Sequence, residues 1–331
     1  MSRQNIRSGL RHGIALAGAL GCALAPALPA HAQAFPAKNI QMIVPYTPGG
    51  SADLFSRVMA QKLGEMWGRN IVVENRPGAS GMIGTEIVTK AAPDDYMLLG
   101  HTSSYPATAS IRAKLPFDPA RAIVPVAMTA RAPMVIAVHP SVPAKSVKEL
   151  IAVAKRTKGG LNYGSSGTGG NNHFSGALFA SAAGIKMVHV PYKGISIAVT
   201  AVASGEIEVL FSSQAALMPQ IQANRVRILA VTSAEPSPLF PDLPAAGKSG
   251  APGFSYELWW GIFAPAGMSA ERLAFINTAA NKILASAEMK KLILGEAAEP
   301  WPLTPQQLDG LLVREIDRYK KAAQLAGIPP Q

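Results

Sequence analysis

The sequence predicts an α/β fold with mostly parallel sheets, and three observations support that class. Short apolar runs rich in β-branched residues alternate along the chain with stretches of helical period. The 331 residues can bury a large core, and a chain of this length typically divides into two domains. No internal repeat and no low-complexity linker is visible, which excludes a solenoid or a tethered array.

The strand candidates are short apolar runs bounded by turn residues. The clearest are Ile40–Val44, Ile71–Val73, Met97–Leu99, Met134–Val138, Met187–Val190, Val209–Phe211 and Ile228–Val231. A further short strand is expected around residues 161–163.

Two helix starts can be recognised from their caps. Ser146 with Glu149 has the capping-box spacing, and Thr304 with Gln307 has it again, with proline at the first helical position. Behind Thr304, an apolar stripe at helical spacing predicts one helix packed on a sheet. The stripe consists of Leu308, Leu311, Leu312, Ile316 and Tyr319.

Residues 1–32 have the pattern of an export signal peptide. Arg3, Arg7 and Arg11 precede an apolar run over residues 13–24, and Ala32 ends a small-residue cleavage site. The run has about 12 residues, short of the ~20 needed to cross a bilayer, and no later segment reaches that length. We therefore expect cleavage after Ala32 and a soluble, exported product.

The formal net charge of +11 invites a nucleic-acid interpretation, but its distribution argues against one. Basic side chains never run longer than pairs, and no recognition motif with interleaved aromatic residues is present. Without the three arginines of the predicted signal peptide, the formal net charge falls to +8. A modest positive field of this size favours small anions over small cations.

The single cysteine, Cys22, lies in the apolar run of the leader, so a normally processed product has no disulfide. Residues 19–22 (ALGC) partly resemble a lipoprotein processing box, although Ala19 stands where leucine is usual. Lipidation at Cys22 therefore stays open as an alternative.

Two segments share one plan, in which a strand leads through a glycine-rich turn into a helix. Strand Ile40–Val44 leads into residues 45–53 (PYTPGGSAD), and residues 161–163 lead into residues 164–173 (GSSGTGGNNH). The first turn of a helix presents free backbone N–H groups and the positive end of its dipole, and glycine lets a ligand approach closely. Each turn therefore suits a carboxylate, although either one alone could be ordinary turn chemistry.

Hydroxyl groups in the same turns add donors without adding charge. They belong to Thr47, Ser51, Ser165, Ser166 and Thr168. Two such turns in one exported α/β protein favour an arrangement in which they face each other across a cleft.

The sequence lacks the motifs of nucleotide-binding, catalytic and metal-binding sites. Residues 167–172 (GTGGNN) lack the third glycine of the dinucleotide fingerprint, and no loop has the lysine-ending phosphate pattern. No Gly-x-Ser-x-Gly elbow or His-Glu-x-x-His helix occurs, and the histidines lack metal-ligand spacing. We therefore expect no catalytic residue, no metal, no cofactor and no nucleic-acid partner.

For two side chains, a structural role and a ligand-binding role both stay open. Asp53 sits in a first helical turn, where it could cap N–H groups or receive a polar group of a ligand. His173, early in its helix, could reach a ligand or bond a neighbouring backbone group.

Along essentially the whole mature chain, the sequence resembles the periplasmic substrate-binding receptors of tripartite tricarboxylate transporters, also called Bug receptors. Five motifs carry the resemblance. They are residues 44–53 (VPYTPGGSAD), 72–79 (VVENRPGA), 161–167 (LNYGSSG) with His173, 189–194 (HVPYKG), and Trp260-Gly261 with residues 264–267 (APAG).

The resemblance implies a two-lobed, Venus-flytrap fold of type II without catalysis. It places a small carboxylate between the lobes and implies that a monomer delivers it in the periplasm to integral-membrane transporter subunits. We expect residues 33–132 and 233–331 in the first lobe and 133–232 in the second. Strands Met134–Val138 and Ile228–Val231 are the expected crossings and hinges.

The candidate ligand-binding residues comprise the two glycine-rich turns and six side chains expected to line the cleft and set selectivity. The turns contribute Thr47, Gly49, Gly50, Ser51, Ala52, Asp53, Ser165, Ser166, Gly167, Thr168, Gly169 and Gly170. The six side chains are Tyr46, Ser103, Ser104, Tyr192, Ser212 and Ser213.

Two other functions stay open. One is an exported enzyme acting on small carboxylic acids, and the other is a sensory receptor that passes its signal to a kinase ectodomain. The sequence leaves the identity of the carboxylate undetermined, because the turns recognise only the carboxylate group.

Overall fold

The computed structural model describes residues 35–92 and 96–331. The predicted signal peptide, residues 1–32, and its cysteine lie outside the described residues. The chain divides into units Met1–Ala37 and Lys38–Gln331, and the second unit carries all the strands and helices described below.

One sheet has six strands in the order β11-β4-β10-β3-β1-β2. The strands are β1 Ile40–Val44, β2 Ile71–Asn75, β3 Met97–Thr102, β4 Ile123–Pro133, β10 Glu257–Pro265 and β11 Glu299–Pro300. β1 pairs in parallel with β2 and β3, whereas β10 runs antiparallel to both β3 and β4. β11 is also antiparallel to β4.

The other sheet has five strands in the order β7-β6-β8-β5-β9. They are β5 Val135–Val138, β6 Leu161–Ser165, β7 Met187–Pro191, β8 Val209–Ser212 and β9 Arg227–Val231. β6 is parallel to β7 and β8, and β5 is antiparallel to β8 and β9.

The α/β class with two lobes, each a sheet flanked by helices, is confirmed, but the expectation of mostly parallel sheets needs correction. Parallel pairing is confined to strands joined by helical crossovers, such as β1, β2 and β3. The chain passes between the two sheets from β4 to β5 and from β9 to β10. At these passages no helical crossover imposes a parallel direction on the strands.

The predicted strands are all present, with ends that differ by at most three residues. β4, β10 and β11 were absent from the strand predictions. β4 and β10 are the longest strands described, and their sequences mix apolar residues with glycine, proline and arginine. Such runs lack a clean period of two and are therefore hard to recognise.

Eleven α-helices occur in the described ranges. They are α1 Ser51–Trp67, α2 Met82–Thr89, α3 Ser104–Ile111, α4 Val147–Arg156, α5 Asn171–Ala183, α6 Ile195–Ser204, α7 Gln214–Gln222, α8 Ala270–Ala285, α9 Ala287–Gly295, α10 Pro305–Leu308 and α11 Leu311–Leu325. None of them combines the length and hydropathy of a membrane span.

Both predicted caps exist, one in altered form. The Thr304 box is complete, with Thr304 Oγ1 accepting from Gln307 N and Gln307 Oε1 accepting from Thr304 N. At the other site Ser146 Oγ accepts from Glu149 N, but the Glu149 carboxylate accepts from Lys145 N at 2.6 Å. The Glu149 carboxylate thus caps the N–H of Lys145, the residue before the N-cap, instead of the N–H of Ser146 itself.

The predicted single helix behind Thr304 is in fact two helices. Gly310 adopts φ 63°, a left-handed conformation that ends α10 and starts α11. The predicted stripe is nevertheless buried on both sides of the break, with Leu308 at 3% and Tyr319 at 1% exposure. The apolar period therefore identified the core face correctly and missed the turn within it.

Each sheet has its own buried cluster of apolar side chains. Ile43, Leu99 and Phe263 represent the cluster of the six-stranded sheet, which α11 completes. Ala137 and Leu210 represent that of the five-stranded sheet, covered by α6 and α7. Two separate cores leave room between the sheets for a cleft.

Candidate binding site

A cavity with a volume of about 1160 Å³ is lined by residues that follow strands of both sheets. Of the candidate residues predicted from sequence, thirteen line it. They are Tyr46, Thr47, Gly49, Gly50, Ser51, Ala52, Asp53, Ser104, Ser166, Gly167, Gly170, Ser212 and Ser213. Both glycine-rich turns therefore open on the same space.

The other five candidates lie outside the lining. Ser103 and Ser165 are fully buried and bond other protein groups, and the Tyr192 hydroxyl donates to Glu206 at 2.8 Å. Thr168 and Gly169 lie at the back of their turn, where Gly169 O accepts from Thr108 Oγ1 at 3.2 Å. These residues support the cavity wall from behind.

Asp53 holds the first turn together. Its carboxylate accepts from Gly49 N at 3.1 Å, from Arg57 Nε at 2.9 Å and from Asn75 Nδ2 at 2.9 Å. Burial acts to raise the pKa of Asp53, but the bonds from Arg57, Asn75 and Gly49 outweigh it and hold that pKa below its usual value. Of its two interpretations, the geometry therefore favours the structural one.

Tyr46 lines the cavity, but its hydroxyl is hydrogen-bonded to two residues of β3. It lies 3.0 Å from His101 Nδ1 and 2.9 Å from Thr102 Oγ1. Burial lowers the pKa of His101 to about 3, so the imidazole is neutral at neutral pH. Tyr46 thus presents a ring rather than a free hydroxyl to the cavity.

The second turn rests on two histidines. His173 Nδ1 accepts from Gly169 N at 3.1 Å, and His189 Nε2 lies 2.6 Å from Ser165 Oγ. The two imidazoles stack with centroids 3.8 Å apart and planes 12° apart. His173 therefore bonds a neighbouring backbone group, which is the structural one of its two interpretations.

Several helix starts at the cavity lack a side-chain cap, although α7 is capped there by Ser213, whose Oγ accepts from Ala216 N at 3.4 Å. Helices α4, α8, α9 and α10 each begin with a serine or threonine whose side chain caps a backbone N–H. Helices α1, α5 and α6 begin after Gly50, Gly170 and Gly194, which line the cavity and provide no side-chain cap. Their first N–H groups lack intrahelical acceptors and remain available to a ligand.

Charged groups at the cavity are few and largely balanced. Arg57 is bonded to Asp53 and to Asn75 Oδ1 at 2.7 Å, while Lys193 and Glu296 line the same space. Lys193 is exposed and makes no ion pair among the described residues. The site therefore offers an anion mainly uncharged donors, with one nearby ammonium group.

Sequence reasoning missed several lining residues. These include Arg57, residues 77–81, Asn171, Asn172, Lys193, Ser196, Gln220, Trp260 and Glu296. The paired asparagines directly after the second glycine-rich turn were a usable signal, because polar residues in a first helical turn face the same space as its N–H groups. Nothing in the local sequence marks Gln220 or Glu296, which reach the cavity only through folding.

No cluster of three or more potential metal ligands occurs among residues 35–92 and 96–331. The donor set at the cavity is made of amides, hydroxyls and helix ends. This chemistry suits reversible binding of an anion.

The comparisons with known proteins agree with this geometry. Residues 55–328 match the family model described as tripartite tricarboxylate transporter family receptor. The chain belongs to this receptor family. Among curated relatives, Protein BugT of Bordetella pertussis is 32% identical over 303 residues, which is 91% of this receptor and 93% of BugT.

Two solved structures extend the comparison. An R. palustris protein solved with adipate is 32% identical with a TM-score of 0.83, covering 90% of this receptor and 100% of that chain. MatC of Rhodopseudomonas palustris, solved with bound malate, is 25% identical with a TM-score of 0.76, covering 87% and 99%. The fold of this receptor is thus the fold of these binding proteins.

Proposed function

We propose that this protein is a periplasmic solute-binding receptor that captures a small organic carboxylate in the cavity between its two sheets. The observation that carries the proposal is the convergence of uncapped starts of α1, α5 and α6 on one cavity. Backbone N–H groups at a helix start bind anions, and a carboxylate needs no more than such donors. The adipate and malate named for two relatives belong to the same ligand class.

The lobes of this receptor are assigned from the sheets. Residues 33–132 with 233–331 form the first lobe, and residues 133–232 form the second. The membership of β1 to β4, β10 and β11 in one sheet and β5 to β9 in the other supports this division. The predicted strands Met134–Val138 and Ile228–Val231, which adjoin the segments where the chain passes between the two sheets, are the proposed hinges.

The receptor acts as a monomer after export, with its leader removed behind Ala32, and delivers its ligand to integral-membrane transporter subunits. Family membership supports delivery to a transporter rather than to a kinase ectodomain. The donor set of amides and hydroxyls supports binding without turnover, which disfavours an enzyme acting on small carboxylic acids.

Gly50→Leu tests the binding site directly. A Cβ at Gly50 meets nothing within 4 Å, and φ is −89°, so the variant folds while its side chain fills cavity space at the start of α1. We expect carboxylate affinity to fall at least ~100-fold, because the leucine blocks the α1 N–H groups. Isothermal titration against a carboxylate panel that includes adipate and malate measures the change.

The matched control is Thr278→Leu, which adds the same side chain at an exposed position of α8. It should bind as the unmodified protein does. Affinity unchanged in Gly50→Leu would contradict the site, and turnover of a bound acid by the purified protein would favour an enzyme instead.

A further inference from the structure

Asn171, the first residue of α5, lies where the second glycine-rich turn meets buried groups from the other sheet. It is 9% exposed and lines the cavity. Its carbonyl oxygen Oδ1 accepts from Ser103 Oγ at 3.1 Å and from the Tyr256 hydroxyl at 2.8 Å. Both lone pairs of Oδ1 are therefore occupied by protein donors.

The directions of these hydrogen bonds are set by their neighbours. Trp259 N donates to Ser103 Oγ at 3.4 Å, and the Tyr319 hydroxyl donates to the Tyr256 hydroxyl at 3.0 Å. The hydroxyl protons of Ser103 and Tyr256 are then directed at Asn171. Ser103, Tyr256 and Tyr319 are each at most 1% exposed, so water does not compete for these bonds.

A side-chain amide has its donor and acceptor on opposite sides. With Oδ1 turned to the buried hydroxyls, Nδ2 of Asn171 is turned away from them, and it has no hydrogen-bond partner among the described residues. The neighbouring Asn172 differs, because its Nδ2 donates to Phe211 O at 2.6 Å and its Oδ1 accepts from Ser166 Oγ at 3.0 Å. Asn171 therefore keeps both amide N–H donors unused, whereas Asn172 uses one of its two.

We propose that Asn171 is a ligand-binding residue whose amide Nδ2, oriented by the Ser103 and Tyr256 hydroxyls, donates to an acceptor oxygen of the bound carboxylate. The inference rests on the proposed function and adds a named side-chain donor to it. The N–H groups at the start of α5 lie beside this amide, so one carboxylate can accept from both. Because Ser103 lies on the other sheet's side of the cleft, the same contact couples ligand binding to the approach of the two lobes.

Asn171→Asp separates a ligand contact from a structural role. The carboxylate of the variant still accepts from Ser103 and Tyr256, but it presents an anionic oxygen where the donor was. A ligand carboxylate then meets a like charge, and we expect affinity to fall about 100-fold or more at pH 7.5. If Asn171 only joined the two sheets, its replacement by an isosteric acceptor would leave affinity within twofold.

The experiment is isothermal titration with adipate and malate, with thermal unfolding as a check of folding. Asn224→Asp, at an exposed surface position, controls for the added negative charge and should bind as the unmodified protein does. If the unmodified protein binds no acid of the panel, the proposed function itself fails. If it binds and Asn171→Asp binds within twofold, only the role of Asn171 fails.

A second variant keeps the test decisive if Asn171→Asp does not fold. The double change Ser103→Ala with Tyr256→Phe leaves the amide in place and removes both hydroxyls that orient it. The freed amide turns among several orientations, and we expect a loss of about tenfold in affinity. Unchanged affinity in the double variant would overturn the proposal.

Discussion

At the scale of single residues, the second glycine-rich turn depends on two neutral histidines. Burial lowers the pKa of His173 to about 4, and burial together with the charge on His173 lowers that of His189 to about 3. Protonation of His173 at Nδ1 would remove the acceptor for Gly169 N. The turn is therefore built for the neutral imidazoles.

This predicts an acid-sensitive fold. Both folded-state pKa values lie below the ordinary value of about 6.5, so the unfolded chain binds more protons and the free energy of unfolding decreases as pH falls from about 6.5 towards 3. In His189→Gln, that decrease should be smaller between pH 7 and pH 4.5, as measured by urea unfolding at each pH. His139→Gln, at a histidine that bonds Ser141 and lies outside this turn, is the matched control. An unchanged slope in His189→Gln would contradict the argument.

At the scale of elements, the helix starts differ in whether a side chain caps them. Those capped by Ser146, Ser269, Ser286 and Thr304 satisfy their own N–H groups, whereas those after Gly50 and Gly170 leave them open at the cavity. Because glycine is itself a favoured N-cap residue, each of these starts forgoes only roughly a few tenths of a kcal/mol relative to a serine cap. The open ends at the cavity agree with the proposed anion site, because a bound anion would supply acceptors for these N–H groups.

The break between α10 and α11 gives an element-scale prediction. Gly310→Ala forces alanine into φ 63°, and we expect the free energy of unfolding to fall by about 1 kcal/mol. Gly295→Ala, where φ is not positive and a Cβ meets nothing within 4 Å, should show no such loss. Urea unfolding measures both. Equal stability of the two variants would mean that the break does not require the left-handed conformation.

At the scale of the whole molecule, Thr232 joins the points where the chain passes between the sheets. Its N–H donates to Met134 O at 2.9 Å, its Oγ1 accepts from Met134 N at 2.8 Å, and Oγ1 also donates to Tyr256 O at 2.6 Å. Tyr256 N in turn donates to Thr232 O at 2.7 Å. Thr232 is fully buried, so these bonds are protected from water.

Thr232→Val tests this junction, because valine keeps the shape and removes the hydroxyl. Met134 N and Tyr256 O then lose a buried partner, and we expect a destabilisation of about 1–3 kcal/mol. Thr232→Ser keeps the hydroxyl and should lose less. Thermal and urea unfolding distinguish the two variants, and a loss in Thr232→Ser as large as that in Thr232→Val would contradict the role of the hydroxyl.

Local sequence determined the parts of this receptor that depend on local chemistry. The two glycine-rich turns, the strand that precedes each of them and the apolar face of α11 follow from residue type and spacing, because turn geometry and amphipathic period act over a few residues. The motifs also indicated the receptor family correctly.

Only the tertiary structure decided what depends on residues distant in the chain. Ser103 and Ser165 carry the hydroxyls expected at the cleft, yet folding directs them to Asn171 and His189. The antiparallel course of β4 and β10 likewise follows from how the chain passes between two sheets. Both outcomes depend on which distant groups are brought within hydrogen-bonding distance, and no local pattern of residues encodes that.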